Sequence, residues 1–410
     1  MFLVKRDNFN KIYIIKGLII ALCFSAFIYL DYFSIEYKIL NTILGLVSLY
    51  FLLKVEKQAL FFIGFFIGIL WFYWVGISFQ YYDLTYLSPL IVLGFALTYG
   101  VIFYFIALYD HPIFRIIIIS LLSFIQPFGF NWFIPELIFI NSYFPISKEY
   151  FILILALIYA FIYLNKKLKV LALIPLFLLY SNNEIHVDNP NIRISMPQLN
   201  VAQDSKWLKN NLTNVIEDNL KLIDKAIKEK KQLIILPETA FPVLLNKEIF
   251  LSSKLKEKSK DIDIIAGALY LENNQYYNAT YHFTQGQIEI AKKIVLVPFG
   301  EEIPLPKFFV DLINDTFFNG AQDYKKADKP TDFIINNIKF RNAICYEATS
   351  EEIYQNLNGV KYVIATSNNA WFTPSVEPTL QKLLLKYFAK KYDVTIFHSI
   401  NGSNNYVIRP

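Results

Sequence analysis

Seven apolar runs crowd the first 181 residues of this 410-residue chain, near 12–30, 38–53, 58–78, 87–108, 113–127, 149–164 and 168–181. A helix needs about 20 mostly apolar residues to cross a bilayer. The runs therefore predict a membrane α-helical bundle of about seven helices over residues 1–181, the last run being short enough to need its flanks. Charge divides the chain at the same place. Of its 39 Lys/Arg and 34 Asp/Glu, residues 1–181 hold 12 and 8, leaving 27 and 26 for residues 182–410. Those counts are roughly 11% and roughly 23% of positions, and the second is near the share of a water-soluble domain. Two solvents are implied, lipid for 1–181 and water for 182–410.

A chain that is 55% hydrophobic is not disordered, and a net charge of +5 gives no nucleic-acid signature. Asp, Glu, Lys and Arg are missing from the middle of every run, which argues against ion-coupled transport. The first run follows Lys5, Arg6 and Lys11 but lacks a small-residue cleavage site, so it reads as an uncleaved anchor. Lys5, Arg6, Lys11, Lys54, Lys57, Arg115, Lys166, Lys167 and Lys169 fall at alternate loops, and the opposite loops hold Lys38 and Lys148. The positive-inside rule then puts the N-terminus in the cytoplasm. An odd number of crossings puts residues 182–410 outside, in the periplasm if the cell is a bacterium. Trp71, Phe72, Tyr73 and Trp74 lie near a span end and fit either an aromatic belt or helix contacts. The loop at 127–147, with Trp132, Phe133, Ile138 and Phe139, is expected to lie on the membrane surface.

After Ser181 the pattern changes. Strands are predicted at 191–196, 232–236, 263–270, 277–283, 288–295, 332–345, 361–366 and 394–399, and helices at 208–230, 247–258, 348–357 and 376–391. This mixed order, with several hairpins, suggests an α/β sandwich. The reactive residue types sit at strand ends. Glu238 follows Ile235-Leu236-Pro237, Lys293 lies in Ala291-Lys292-Lys293-Ile294-Val295, and Cys345 ends the strand Phe340–Ile344. A thiol where a strand opens into a helix is presented like a nucleophile elbow. Its backbone neighbour can donate an N–H to an oxyanion. Cys23 lies in a span, so Cys345 is a retained thiol in an exported domain and is flagged as reactive. The four histidines, His111, His186, His282 and His398, lack ligand-like spacing, so neither a metal nor another cofactor is expected.

Glu, Lys and Cys in this order at these strand ends resemble the nitrilase, or carbon–nitrogen hydrolase, superfamily. The longer motifs resemble its apolipoprotein N-acyltransferase family: Pro237-Glu238-Thr239-Ala240-Phe241-Pro242, Leu296-Val297-Pro298-Phe299-Gly300-Glu301 and Cys345-Tyr346-Glu347. So do Pro197-Gln198 followed by Trp207, Ser367-Asn368-Asn369-Ala370-Trp371-Phe372, and Ser399 to Gly402. The resemblance covers essentially the whole chain. It implies a nitrilase-like α-β-β-α sandwich after the bundle, in the bacterial inner membrane. It also implies transfer of an acyl chain from a phospholipid, with phosphatidylethanolamine as the expected donor, to the α-amine of the diacylglyceryl cysteine that begins an apolipoprotein. Cys345 would carry the acyl group as a thioester, Glu238 would move the thiol proton, and Lys293 with the Tyr346 N–H would stabilise the oxyanion.

Other residues keep two readings. The resemblance places Glu301 and Glu347 near the thiol, but each could simply accept backbone N–H bonds. Trp207 and Tyr346 fit either an acyl pocket or core. A membrane-tethered amidase using water as acceptor could use the same Glu238, Lys293 and Cys345. The segment 301–320, with Phe308, Phe309, Phe317 and Phe318 among its apolar residues, is expected to dip into the lipid and guide acyl tails. Three positions depart from the family pattern. Ala291 stands where a Tyr is usual, and Asn369 and Thr373 replace Asp and Gly. The family also continues past the region matching Asn401-Gly402 into a final membrane helix, and nothing after 391 is long or apolar enough for one.

Overall fold

A computed structural model describes residues 11–109, 111–165, 169, 174–180, 189–303, 308, 310 and 324–410. The chain forms two compact units: Met1–Pro127 with Trp132–Glu184 and Pro374–Tyr387, and Phe128–Asn131 with Ile185–Thr373 and Phe388–Pro410. Two short segments thus group away from their chain neighbours.

The first unit is helical. Its helices are α1 (Lys11–Tyr32), α2 (Lys38–Lys54), α3 (Lys57–Phe72), α4 (Ser88–Tyr104), α5 (Pro112–Leu121) and α6 (Lys148–Tyr163). Among the described residues four helical segments are long and apolar enough to cross a membrane: Lys11–Tyr32, Lys57–Tyr82, Thr85–Ala107 and Pro112–Gly129. α2 and α6 have 17 and 16 residues. At 1.5 Å per residue they reach about 25 Å, short of a hydrocarbon core of about 30 Å. Of the seventh expected run, 168–181, residues 168, 170–173 and 181 lie outside the described residues. α3 and α4 approach closely because α3 offers no side chain there. A Cβ on Gly64 would lie 2.1 Å from the Tyr99 carbonyl oxygen, and one on Gly68 would lie 2.6 Å from that of Phe95.

The loop residues expected at the membrane surface are instead core, and of the two readings for Trp71, Phe72 and Trp74 the helix contacts hold. Trp71, Phe72, Trp74, Trp132, Phe133, Ile138 and Phe139 are all buried. The Phe133 ring lies 4.8 Å from that of Tyr99 and 5.1 Å from that of Trp71, and the Trp71 indole donates to Ser25 Oγ at 3.0 Å. An apolar loop residue reads alike in sequence whether lipid or protein covers it, and here protein does. Arg115 is also buried, and its guanidinium donates to the carbonyls of Leu53 and Val55 at the C-terminal end of α2. The Pro374–Tyr387 segment joins this unit through polar contacts. Lys382 pairs with Asp31, Lys386 donates to Asn141 at 2.9 Å, and the Tyr387 hydroxyl donates to buried Glu136 at 3.2 Å.

The second unit stacks two sheets. The first contains β1 (Ile194–Ser195), β2 (Leu233–Ile235), β3 (Phe241–Leu244), β4 (Asp263–Glu272), β5 (Gln275–Thr284) and β6 (Gln287–Lys292), in the order β1-β2-β4-β5-β6, with β3 also on β4. The second contains β7 (Asp332–Ile335), β8 (Ile338–Ile344), β9 (Tyr362–Asn368), β10 (Thr395–Asn401) and β11 (Tyr406–Ile408), in the order β11-β10-β9-β8-β7. The period-two alternation of a strand divides the apolar residues between two cores. Leu233 and Ile235 pack with Ile265, Phe333, Phe340, Ile364 and Phe397 between the sheets, while Ile234 and Leu236 pack with Leu220, Ile223 and Leu255 of the covering helices. Among the described residues, two-residue turns close three of the four antiparallel pairs: Asn273-Asn274, Gln285-Gly286 and Asn336-Asn337. Both residues of each have positive φ, the geometry that suits a right-twisted hairpin. The predicted single strand at 332–345 is therefore two strands. The Phe-Pro strand β3, the edge strand β11 and the short helix Gln203–Lys206 went unpredicted. Of the apolar segment 301–320, residues 304–307, 309 and 311–320 lie outside the described residues, and Phe308 is exposed.

Candidate active site

The apolar strand β2 delivers Glu238. Past Ile235 the chain turns over Pro237–Ala240, with Thr239 in the left-handed region at φ 47°. The turn lies against β4 at Gly267, whose N–H donates to the Pro237 carbonyl at 3.2 Å. A Cβ on Gly267 would fall 2.4 Å from the Thr239 nitrogen and 2.6 Å from the Glu238 Cα. Only glycine allows that approach. Glu238 is buried, and its Oε1 accepts from Asn278 Nδ2 on β5 at 2.7 Å.

Lys293 follows β6 directly. Its backbone N–H donates to the Asn278 carbonyl at 2.9 Å, which fixes it beside that residue. Its side chain is wholly buried and its Nζ lies 2.6 Å from Glu301 Oε2. Burial works against the charge. Glu301, Glu238 and Cys345 outweigh it and hold the ammonium's pKa well above the usual lysine range. Glu301 is placed by a tight turn in which its Oε2 accepts the Val297 N–H at 2.9 Å. Its Oε1 accepts the second hydrogen bond from Asn278 Nδ2, at 3.1 Å.

Cys345 leaves β8 with φ 54°, entering a single 3-10 turn over Cys345–Thr349. Glu347 within that turn is buried. Its Oε1 accepts the Ile344 N–H at 2.7 Å, and its Oε2 accepts the N–H groups of Ile294 at 2.6 Å and Val295 at 3.2 Å. One carboxyl thereby ties the backbone just before the thiol to the backbone just after Lys293. Burial pushes its pKa up to about 7, against the pull of Lys293 and the three N–H donors. Tyr346 is buried too. Its hydroxyl accepts the Asn131 N–H at 3.0 Å and donates to the Gly129 carbonyl at 3.2 Å, and its ring stacks on Phe130 at 5.8 Å.

Hydrogen bonds and an ion pair thus join Glu238, Asn278, Glu301 and Lys293, and Glu347 braces the turn that begins at Cys345. Glu301 and Glu347 both use the backbone-acceptor reading, and Glu301 adds the ion pair. Tyr346 is a core residue that fastens the 128–131 segment. Trp207 is 42% exposed and follows the short helix Gln203–Lys206. Sequence reasoning missed Asn278, which bridges two carboxylates, and Lys206, whose Nζ donates to Thr239 Oγ1 at 2.7 Å. The one available signal was an amide in the apolar stretch of β5. Chemically, the arrangement offers a proton acceptor, a fixed cation and a nucleophilic thiol in one place.

The profile of the apolipoprotein N-acyltransferase integral membrane domain matches residues 11–182. An apolipoprotein N-acyltransferase of Wolinella succinogenes is 47% identical over 393 residues, covering 95% of this chain and 94% of its own. One from Campylobacter jejuni is 39% identical over 417 residues, covering 100% and 93%. Among solved structures, a CN-hydrolase superfamily protein of Xanthomonas campestris matches 51% of this chain and 76% of its own at 14% identity, with a TM-score of 0.39. The identity to full-length relatives, together with a matching membrane domain, shows that this membrane protein belongs to the apolipoprotein N-acyltransferase family.

Proposed function

We propose that the protein transfers an acyl chain from a phospholipid, through a thioester on Cys345, to the α-amine of the diacylglyceryl cysteine that begins an apolipoprotein. The observation that carries this reading is Lys293, a wholly buried ammonium paired with Glu301 at 2.6 Å and linked to Glu238 through Asn278. Glu238 takes the thiol proton, and the thiolate attacks the ester carbonyl of the donor. Lys293 and the Tyr346 N–H stabilise the oxyanion, a contribution of roughly 100- to 1,000-fold per donor in comparable sites. Collapse forms the thioester and breaks the ester bond, and the departing lysophospholipid oxygen takes the proton back from Glu238. The lipoprotein amine then attacks the thioester, passing a proton to Glu238, which returns it to the leaving thiolate. One nucleophile serving two substrates in turn gives ping-pong kinetics.

The donor in this reading is phosphatidylethanolamine, and the setting is the bacterial inner membrane, with the N-terminus cytoplasmic and the sheet unit periplasmic. The alternation of basic loops supports that orientation. Purified protein given acyl-labelled phosphatidylethanolamine and a diacylated lipopeptide tests the reading. Label on the lipopeptide amine supports it. Label released as free fatty acid, with none on the lipopeptide, points to an amidase-type hydrolase instead.

A further inference from the structure

Among the described residues the buried lysines are Lys293 and Lys206, and the mechanism above uses one of them. Lys206 ends the helix Gln203–Lys206, which is fixed at both ends. At its start Gln203 Oε1 accepts from Asn368 Nδ2 at 2.8 Å, and Asn368 Oδ1 accepts from Asn401 Nδ2 at 2.8 Å. At its end the Lys206 ammonium donates to Thr239 Oγ1 at 2.7 Å and to the Glu238 carbonyl at 3.3 Å. Both acceptors are neutral oxygens of the turn that carries Glu238. Lysine is almost never fully buried unless paired with a carboxylate, so this placement calls for a reason.

The turn supplies one. Thr239 is β-branched yet stands at φ 47°, a conformation that persists only where the surroundings impose it. Gly267 presses on the turn from β4, and Asn219 Nδ2 donates to the Ala240 carbonyl at 2.7 Å. Lys206 holds the two residues between those contacts. Its charge also bears on Glu238. Burial pushes the Lys206 ammonium down to about 8, while the Glu238 carboxylate pulls the other way. The groups facing Glu238 are then Lys206, Lys293 with Glu301 behind it, and neutral Asn278 on β5.

We propose that Lys206 is a positioning residue for Glu238: it locks the Pro237–Ala240 turn in its left-handed conformation and sets a second cation beside the carboxylate that receives the thiol proton. The proposal rests on the acyl-transfer reading and adds to it a residue that acts through the Glu238 turn.

The test is acyl loading of Cys345 in the full chain, from phosphatidylethanolamine, followed by mass spectrometry between pH 5 and pH 9. Lys206→Met is expected to slow loading by roughly 10- to 100-fold, the scale of a misplaced reacting group. It should also move the acidic limb of the profile upward, because the site loses a cation. Thr239→Val keeps the side-chain shape and deletes one acceptor. It should slow loading by roughly 5- to 10-fold with the limb moved the same way, and Thr239→Ser should restore both. Slower loading with an unmoved limb in Lys206→Met would mean a merely structural role and overturns the assignment. Wild-type loading in both Lys206→Met and Thr239→Val also overturns it. Failure of the wild type to load Cys345 overturns the acyl-transfer reading and this assignment with it.

Discussion

Lys293 and Glu301 form a buried ion pair, 2.6 Å from Nζ to Oε2, with the lysine side chain wholly buried and the glutamate 12% exposed. Losing one member of such a pair strands the other without water, at a cost of about 3–5 kcal/mol. Glu301→Gln is therefore expected to lower the unfolding temperature and to slow acyl loading of Cys345 by at least about 100-fold. Thermal unfolding and quenched loading assays on the same preparation check both. Wild-type loading in this variant would remove Glu301 from the account.

Asn278 divides one amide group between Glu238 and Glu301. Asn278→Asp would set a third carboxylate against two others in a buried site. The expected outcome is loading slowed by roughly 100-fold and an acidic limb shifted to higher pH, since neighbouring like charges favour the protonated form. Asn278→Ala should slow loading too, without the shift. A pH profile recorded on the two variants separates the cases, and identical profiles would contradict the bridging role.

Gly267→Ala inserts a methyl group 2.4 Å from the Thr239 nitrogen and 2.6 Å from the Glu238 Cα. Both neighbours are backbone, so the turn has to move, at a cost of about 1–3 kcal/mol. A displacement of that kind can lower a rate by roughly 100-fold. The variant should fold, bind phospholipid and load Cys345 slowly, as read by lipid binding and loading rate together. Loading at the wild-type rate would show that the position of Glu238 is not critical.

Glu347 makes a pH prediction. Its pKa in the fold is pushed up to about 7, above the ordinary carboxylate value. A raised acid is held more easily neutral than charged, so its contribution is complete below the ordinary carboxylate range and is lost as pH rises through about 7. The size is about 3 kcal/mol at most. The stability advantage of the wild type over Glu347→Gln should therefore narrow from pH 5 to pH 8, measured as the difference in unfolding midpoint. A widening advantage would mean that the N–H donors of Ile344, Ile294 and Val295 hold the carboxylate ionised after all.

The sequence exposed the two-solvent plan and most strands of the sheet unit because both are written in hydrophobic runs. Glu238, Lys293 and Cys345 stood out as polar or reactive side chains closing such runs, and Asn278 and Glu301 link the first two in the fold. The misses share a cause. Phe133 and Trp132 could face lipid or protein with the same composition, and only tertiary packing decides. Asn336-Asn337 splits the segment 332–345 by backbone conformation, which apolar periodicity does not record. Lys206 sits among ordinary surface charges in the sequence, between Asp204 and Lys209. Its burial follows from where the Glu238 turn lies, a long-range contact that no local pattern carries.

Acylation of Cys345 by a membrane lipid, followed by transfer of that acyl group to an amine, is the step on which the proposed reaction turns. Its most direct measurement is the intact mass of the purified full-length protein after incubation with phosphatidylethanolamine, followed by addition of a diacylated lipopeptide. The account predicts one acyl chain on Cys345, labile to hydroxylamine, absent in Cys345→Ser, and discharged onto the lipopeptide N-terminus. An unmodified thiol in the wild-type protein, under conditions where the lipopeptide nonetheless becomes N-acylated, would contradict it.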